Sequence, residues 1–419
     1  MSFLSAKSLP RWRTDVFLAA AMTLNYADRS VLPVIFPALR LDLALSDVAF
    51  GLLGSLFLWS YAICGPISGM LADRYSRRIQ VVVSLFAWSV ATALTGAVNG
   101  FIMLAVLRIA LGISESLYLP ASIALLADHH GPTTRGWAMG VQSFSGSVGV
   151  ILGGACAGYV AERYGWRWSF GILGFTGIAI ALVARQFLGA PPATSLPVDK
   201  PRVKVGEALA YLVRVPTFLL LLAETVLAGV AVWIFFNWLP LYLYETHGMK
   251  MGAAGFAGMA MLQGSTMLGI VVGAWFSDRA ALRAQRNRLL IFGLAFLVAA
   301  PCLLSFLFLP SYPMVALAVS VFSFLRAVGA VNELPILCDV IPQPFRSTAV
   351  GIFVACACVG GGVGTLVAAY LKQSVGLAMV FGGLSAVFAL AGFALLMGYR
   401  RLIGRDVARA TAWTEAQST

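Results

Sequence analysis

Apolar residues run along this chain in long, nearly unbroken stretches separated by short polar turns. The stretches lack the two-residue alternation of a half-buried strand. They are also apolar all round, unlike the one-sided stripe of a soluble helix. Twelve can be read, at roughly 14–38, 48–71, 79–97, 101–126, 137–161, 168–188, 217–244, 253–277, 288–309, 313–338, 347–371 and 377–399. About 20 apolar residues in a helix cross the hydrocarbon core of a bilayer. Each stretch therefore predicts one span, and the expected fold is an all-α membrane protein with twelve transmembrane helices.

The longest polar connection runs from Gly189 to Val215 and carries Lys200, Arg202 and Lys204. It predicts an N-terminal six-helix half (1–188), a cytoplasmic linker with a short surface helix (189–215), a C-terminal six-helix half (216–400) and a cytoplasmic tail (401–419). The halves repeat each other. Gly69–Arg78, with Asp73, Arg74 and Arg77, is echoed by Gly273–Arg279, with Asp278. Arg135 at the start of span 5 is echoed by Arg346 at the start of span 11. Arg108 and Glu115 of span 4 are echoed by Arg326 and Glu333 of span 10, with the same seven-residue spacing. Duplication in one orientation implies two halves related by an axis along the membrane normal. Glycine pairs four apart, Gly149/Gly153, Gly154/Gly158 and Gly360/Gly364, predict close helix approach.

Composition agrees: 60% of the residues are hydrophobic and 11% charged, against about 25% charged in soluble domains. The net charge of +12 is explained by positive loops on the cytoplasmic side and requires no nucleic acid. With both termini inside, the outer segments carry only Arg40, Arg163, Arg167, Lys250 and Lys372, which fixes the expected orientation. The six cysteines fall in apolar spans without metal-ligand spacing and are expected to be small core residues. No cofactor or metal is expected. His129, His130 and His247 are expected in loops, leaving proton chemistry within the membrane to carboxylates.

Asn25-Tyr26-Ala27-Asp28-Arg29 lies inside the first span, with Asp28 near the expected midplane. Charges at that depth persist when they are paired or line a polar cavity, and they mark function. Arg108 and Glu115 stand about two turns apart on one helix face, so both can line the same cavity. Desolvation raises a carboxyl pKa and a nearby guanidinium lowers it. Asp28 and Glu115 are thus candidate proton sites, and Arg29 and Arg108 candidates for attracting an anion. Glu224, nearer the cytoplasmic end of span 7, is read as pairing with a loop base. Mid-span position alone adds Gln142, Asn237 and Asn332 as substrate contacts. Asp73, Arg74, Arg77, Arg135, Asp278 and Arg346 are expected to form cytoplasmic gating contacts, Asp73 pairing with a base such as Arg135. Neither a Gly-x-x-x-x-Gly-Lys-Ser/Thr loop nor a His-Glu-x-x-His or Gly-x-Ser-x-Gly motif occurs, so neither an ATP-driven pump nor an intramembrane hydrolase is supported.

With two repeats of six spans and the Gly69–Arg78 motif, the chain resembles the major facilitator superfamily. Asn25–Arg29, Arg108-x6-Glu115 followed by Leu119-Pro120-Ala121, and Asn237-Trp-Leu-Pro-Leu-Tyr-Leu243 resemble its anion:cation symporter family, and the first two patterns are also similar to Spinster-like lipid transporters. The anion:cation resemblance implies proton-coupled import of a sugar acid or other organic anion across the inner membrane. It assigns proton coupling to Asp28 and Glu115, substrate contacts to Tyr26 and Arg29, and support of Glu115 to Arg108. The expected partners of the chain, read as a monomer, are the anion, protons and membrane lipids. Ser116 after Glu115, and Ser76 in the cytoplasmic motif, depart from the family patterns. Rival readings are an exporter or lysolipid transporter of the same fold, a sensor that does not transport, and an intramembrane enzyme.

Overall fold

The structure is a computed structural model and describes residues 9–188, 205–308 and 311–418. Most of the expected linker, from Gly189 to Lys204, lies outside the described residues. The helices are α1 (Leu9–Leu43), α2 (Asp47–Arg74), α3 (Arg77–Thr95), α4 (Phe101–Ser116), α5 (Tyr118–His129), α6 (Pro132–Tyr164), α7 (Trp166–Phe187), α8 (Val205–Leu212), α9 (Pro216–His247), α10 (Met251–Arg283), α11 (Asn287–Ala299), α12 (Ser305–Phe308), α13 (Tyr312–Ala330), α14 (Glu333–Val340), α15 (Arg346–Arg401) and α16 (Ile403–Ser418). Among the described residues, ten segments are long and apolar enough to cross a membrane. The last runs from Gln343 to Arg401 and is interrupted at Gly376, whose φ of 79° is left-handed backbone that glycine adopts without a Cβ clash. The helix α1, whose apolar stretch is diluted by Asn25, Asp28 and Arg29, is not among the ten.

Three expected spans are broken by proline. Pro120 cannot donate to the carbonyl of Ser116, nor Pro335 to that of Val331, and a helix interrupted in this way turns or restarts. The chain does so between α4 and α5 and between α13 and α14, directly beside Glu115 and Glu333. Pro301 lies in a 3-10 turn between α11 and α12. Outward faces carry large exposed apolar side chains, among them Ile102, Leu182, Val271 and Leu390, a surface that lipid covers and water does not.

By proximity the described residues form two compact units, one of residues 9–188 and 236–259, the other of residues 205–235, 260–308 and 311–418. In the first, α1 packs along α6, α2 along α4 and α3 along α7. The stretch Phe236–Met259 was expected with the C-terminal half, yet it packs in the first unit. Trp238 meets Phe50 edge to face at 4.9 Å, and Arg40 bonds both Glu245, at 3.0 Å, and Asp47. In the second unit α11 packs on α13 and α15, beside a cluster of rings in which Phe235 stacks on Phe381, Phe306 and Phe322 meet this pair at a tilt, and Phe388 meets Phe322 edge to face. The segment expected as a tail forms the helix α16. It docks on this unit, with Asp406 accepting from the Thr217 amide at 2.8 Å.

Candidate functional site

Asp28 and Arg29 of α1 meet Arg108 and Glu115 of α4 inside the first unit. Arg29 donates Nε to Glu115 Oε2 at 2.7 Å, with the two side chains 10% and 1% exposed. Three rings surround the guanidinium: its carbon lies 4.8 Å from the centroid of Tyr26, 4.9 Å from Tyr61 and 5.3 Å from Phe57. Each face adds attraction of about 0.5–2 kcal/mol, more where water is excluded. Asp28 is buried and accepts from Thr92 Oγ1 of α3 at 2.9 Å through Oδ2, while its buried Oδ1 has no hydrogen-bond partner. Arg108 is buried, its Nε and Nη2 likewise without partners. Its charge acts on both Asp28 and Glu115, so the expected support of Glu115 is shared with Asp28.

Local sequence explains this placement. Arg108 and Glu115 share a face of α4 through their two-turn spacing. Gly153 lets α6 close on α1 just before Asp28, where an added Cβ would lie 2.5 Å from the Cα of Ala27. Thr92 faces Asp28 from α3, and Gly174 and Gly177 of α7 let that helix sit against α3 at the neighbouring Ala93 and at Ser89. The outcome is two carboxylates and two guanidiniums, balanced in charge, with only one pair directly bonded. Such a set has slack: one carboxylate oxygen and two guanidinium nitrogens are desolvated and unspent, a costly state that binding or proton transfer relieves.

The other expected site residues disperse. Gln142 is buried and donates Nε2 to Ser122 Oγ at 2.7 Å. Asn332 is fully buried and spends its amide on the carbonyls of Val328 and Gly329. Asn237 is buried in the part of α9 that belongs to the first unit. Arg74 is exposed, and the side chain of Asp73 lies outside what is described. Arg77 pairs with Asp128, and Arg135 donates to the carbonyl of Ala127 at 3.2 Å. In the second unit Arg288 bonds Asp339 at 3.2 Å and reaches the exposed Asp278 at 3.8 Å, and Arg346 donates to the carbonyls of Cys338 and Ile341.

Sequence reasoning missed Phe57, Tyr61, Thr92, Asp128 and Asp339. The repeat itself held a signal for the last two, since Arg77/Arg288 and Asp128/Asp339 stand at the same separation as Arg135/Arg346. Two further expectations are corrected. Cys156 and Cys338 are exposed and Cys358 alone of the six cysteines is buried, because an apolar span faces lipid as well as core. Of the histidines expected in loops, His130 lies between α5 and α6, buried with Nε2 2.9 Å from Asp15 Oδ2, whereas His129 and His247 are the last residues of α5 and α9. Among the described residues no group of His, Cys, Asp and Glu could hold a metal ion.

A family model of the Major Facilitator Superfamily matches residues 18–332. The chain is 26% identical to a protein of Bacillus subtilis (strain 168) named "Probable galactarate/D-glucarate transporter", over 94% of this chain and 93% of that one. It is 30% identical to an "MFS-type efflux pump" of Mycolicibacterium smegmatis (strain ATCC 700084 / mc(2)155), over 87% and 85%. It is 25% identical to the "Hexuronate transporter" of Bacillus subtilis (strain 168), over 96% and 97%. The crystal structure of a bacterial homolog to the human lysosomal transporter Spinster, inward-facing and unoccupied, superposes with a TM-score of 0.78 at 21% identity, covering 96% of this chain and 98% of that one. Helices without strands among the described residues, charged groups buried within them and the family match agree: the chain belongs to the major facilitator superfamily and is an integral membrane transporter, not an enzyme.

Proposed function

We propose that this transporter imports a small organic anion of the sugar-acid class together with protons, by alternating access, in the plasma membrane with both termini in the cytoplasm. The observation that carries the reading is the Arg29–Glu115 pair beside Asp28 and Arg108. While Glu115 is ionised it occupies Arg29. A proton on Glu115 removes that claim and leaves the guanidinium, framed by Tyr26 and Tyr61, to take a carboxylate of the substrate. Anion binding and proton uptake then favour each other within one cluster, which is thermodynamic coupling. Arg108 holds the charge of Asp28, the second proton site. Relatives named as galactarate/D-glucarate and hexuronate transporters support the substrate class.

A second reading, export, is favoured by the relative named as an efflux pump. Thermal stability of the purified protein separates substrate classes, since a ligand of the folded state raises apparent stability. Sugar acids, aromatic carboxylates, dicarboxylates and lysolipids are compared at pH 5.5 and 7.5. Stabilisation by a sugar acid, stronger at the lower pH and lost in Arg29→Ala, is the expected result. Stabilisation by lysolipids alone would replace the substrate class.

A further inference from the structure

The second unit holds three more buried or half-buried ionisable groups that the proposed mechanism does not use. Glu224 of α9 is 3% exposed, and its buried Oε2 has no hydrogen-bond partner. It does not reach a loop base, as its position suggested. Glu333, at the start of α14, accepts from the hydroxyl of Thr225, the residue after Glu224. Arg326 of α13 makes a single long contact, from Nη2 to Thr266 Oγ1 of α10 at 3.4 Å. Among the described residues no ion pair within 4.0 Å joins Arg326 to either glutamate. The charged groups acting on Glu224 are Glu333 and Arg326, and the one acting on Glu333 is Arg326. The elements packed beside them bring neutral groups: α10 supplies Thr266, and α15 meets α9 through Gly360 and Gly364 against Val226 and Val230.

The charge balance distinguishes the two units. The first holds two carboxylates against two guanidiniums. The second holds two carboxylates against one, so full ionisation leaves one negative charge uncompensated away from water. Such a charge is expensive, and a carboxylate in that position is neutralised instead. We propose that Glu224 and Glu333 form a proton-binding site of the second unit, the pair holding one proton between them beside Arg326. Glu224 is sealed, whereas Glu333 and Arg326 are half-buried, so the proton exchanges through Glu333. Arg326 and Glu333 repeat Arg108 and Glu115, whereas Glu224 sits on α9 about 12 Å from its start. The site stands whatever the transported substrate is.

The test is infrared spectroscopy of the protonated-carboxyl stretch, on the purified full-length protein without substrate at pH 7.5. Glu224→Gln is expected to remove one carboxyl equivalent of band intensity. Glu333→Gln should remove the same amount, and the double variant no more than either single one, because the pair shares a single proton. Arg326→Met should add one equivalent, as both glutamates then stay neutral. Singles that leave the band unchanged would overturn the proposal, as would a double variant that loses twice as much. Loss of the band on replacing choline with sodium at constant ionic strength would also overturn it, marking a metal-cation site. Should Glu224→Gln fail to fold, Glu333→Gln reads the same proton.

Discussion

Arg29 and Glu115, 86 residues apart in sequence, form a direct ion pair of 2.7 Å within the first unit. Removing one partner of a buried pair strands the other charge, at a cost of about 3–5 kcal/mol, whereas replacing both with neutral groups of similar size is close to neutral. Glu115→Ala is therefore expected to lower stability by about that amount. Arg29→Met combined with Glu115→Gln should recover most of it. Thermal unfolding of the wild type, Arg29→Met, Glu115→Gln and the double variant in detergent forms the cycle, and additive losses would show that the pair does not act as a unit.

Asp28 has one oxygen on Thr92 and one without a partner. Asn at this position keeps the shape and accepts from Thr92 but cannot take up or release a proton. In proteoliposomes, Asp28→Asn is expected to reduce gradient-driven sugar-acid uptake by more than about tenfold, equivalent to about 1.4 kcal/mol. Exchange of substrate across the membrane without a gradient should persist. Loss of both activities in a folded protein would make Asp28 a binding residue rather than a coupling one.

The stretch Asn25–Arg29 was legible as the centre of the site because charge inside an apolar span has few innocent explanations. The partners were less legible. Phe57 and Tyr61 lie in a span whose apolar residues surround the helix, so no periodicity marks the face that meets Arg29. Gln142 and Asn332 show the converse. Their depth suggested a cavity, but depth does not encode direction, and both are bonded inside their own unit. The breaks beside Glu115 and Glu333 follow from Pro120 and Pro335 and were readable from the missing amides. The packing of Phe236–Met259 in the first unit was not, since it depends on surfaces distant in sequence.

At the cytoplasmic motifs, Arg77–Asp128 and Arg288–Asp339 lie in different units, and each brace is internal to its own. Both pairs are partly exposed, so each is worth about 0.2–1 kcal/mol. Asp128→Asn and Asp339→Asn are expected to destabilise by amounts in that range, and the double variant by their sum, since sites without shared partners add within about 0.3–0.5 kcal/mol. Chemical or thermal unfolding of the three variants measures this. A non-additive double variant would mean that the two braces act on each other.

Gly153 sets the distance between α6 and α1 next to the charged cluster. A Cβ there would lie 2.5 Å from the Cα of Ala27 and 2.6 Å from Ser30 Oγ, and a backbone atom cannot swing aside as a side chain can. A Cβ on Gly154 would meet Met259 Cγ, a flexible neighbour, at 3.1 Å and the Gly255 carbonyl oxygen only at 3.3 Å, an intermediate case. Gly140 of the same helix has nothing within 4 Å. The three therefore form a graded series. Gly153→Ala is expected to cost about 1–3 kcal/mol through overpacking, and to weaken substrate binding because Ala27 carries Asp28 and Arg29 with it. Gly154→Ala should cost less, as Met259 repacks. Gly140→Ala should stabilise by about 0.5–1 kcal/mol, the helix-propensity gain alone. Melting temperature ranks the series and ligand-induced stabilisation reads the site. If Gly153→Ala lowered stability yet left ligand-induced stabilisation intact, the α1–α6 contact would be a packing feature without influence on Asp28 and Arg29. If both fell together, as expected, a glycine that touches no charged group would be a determinant of the binding geometry.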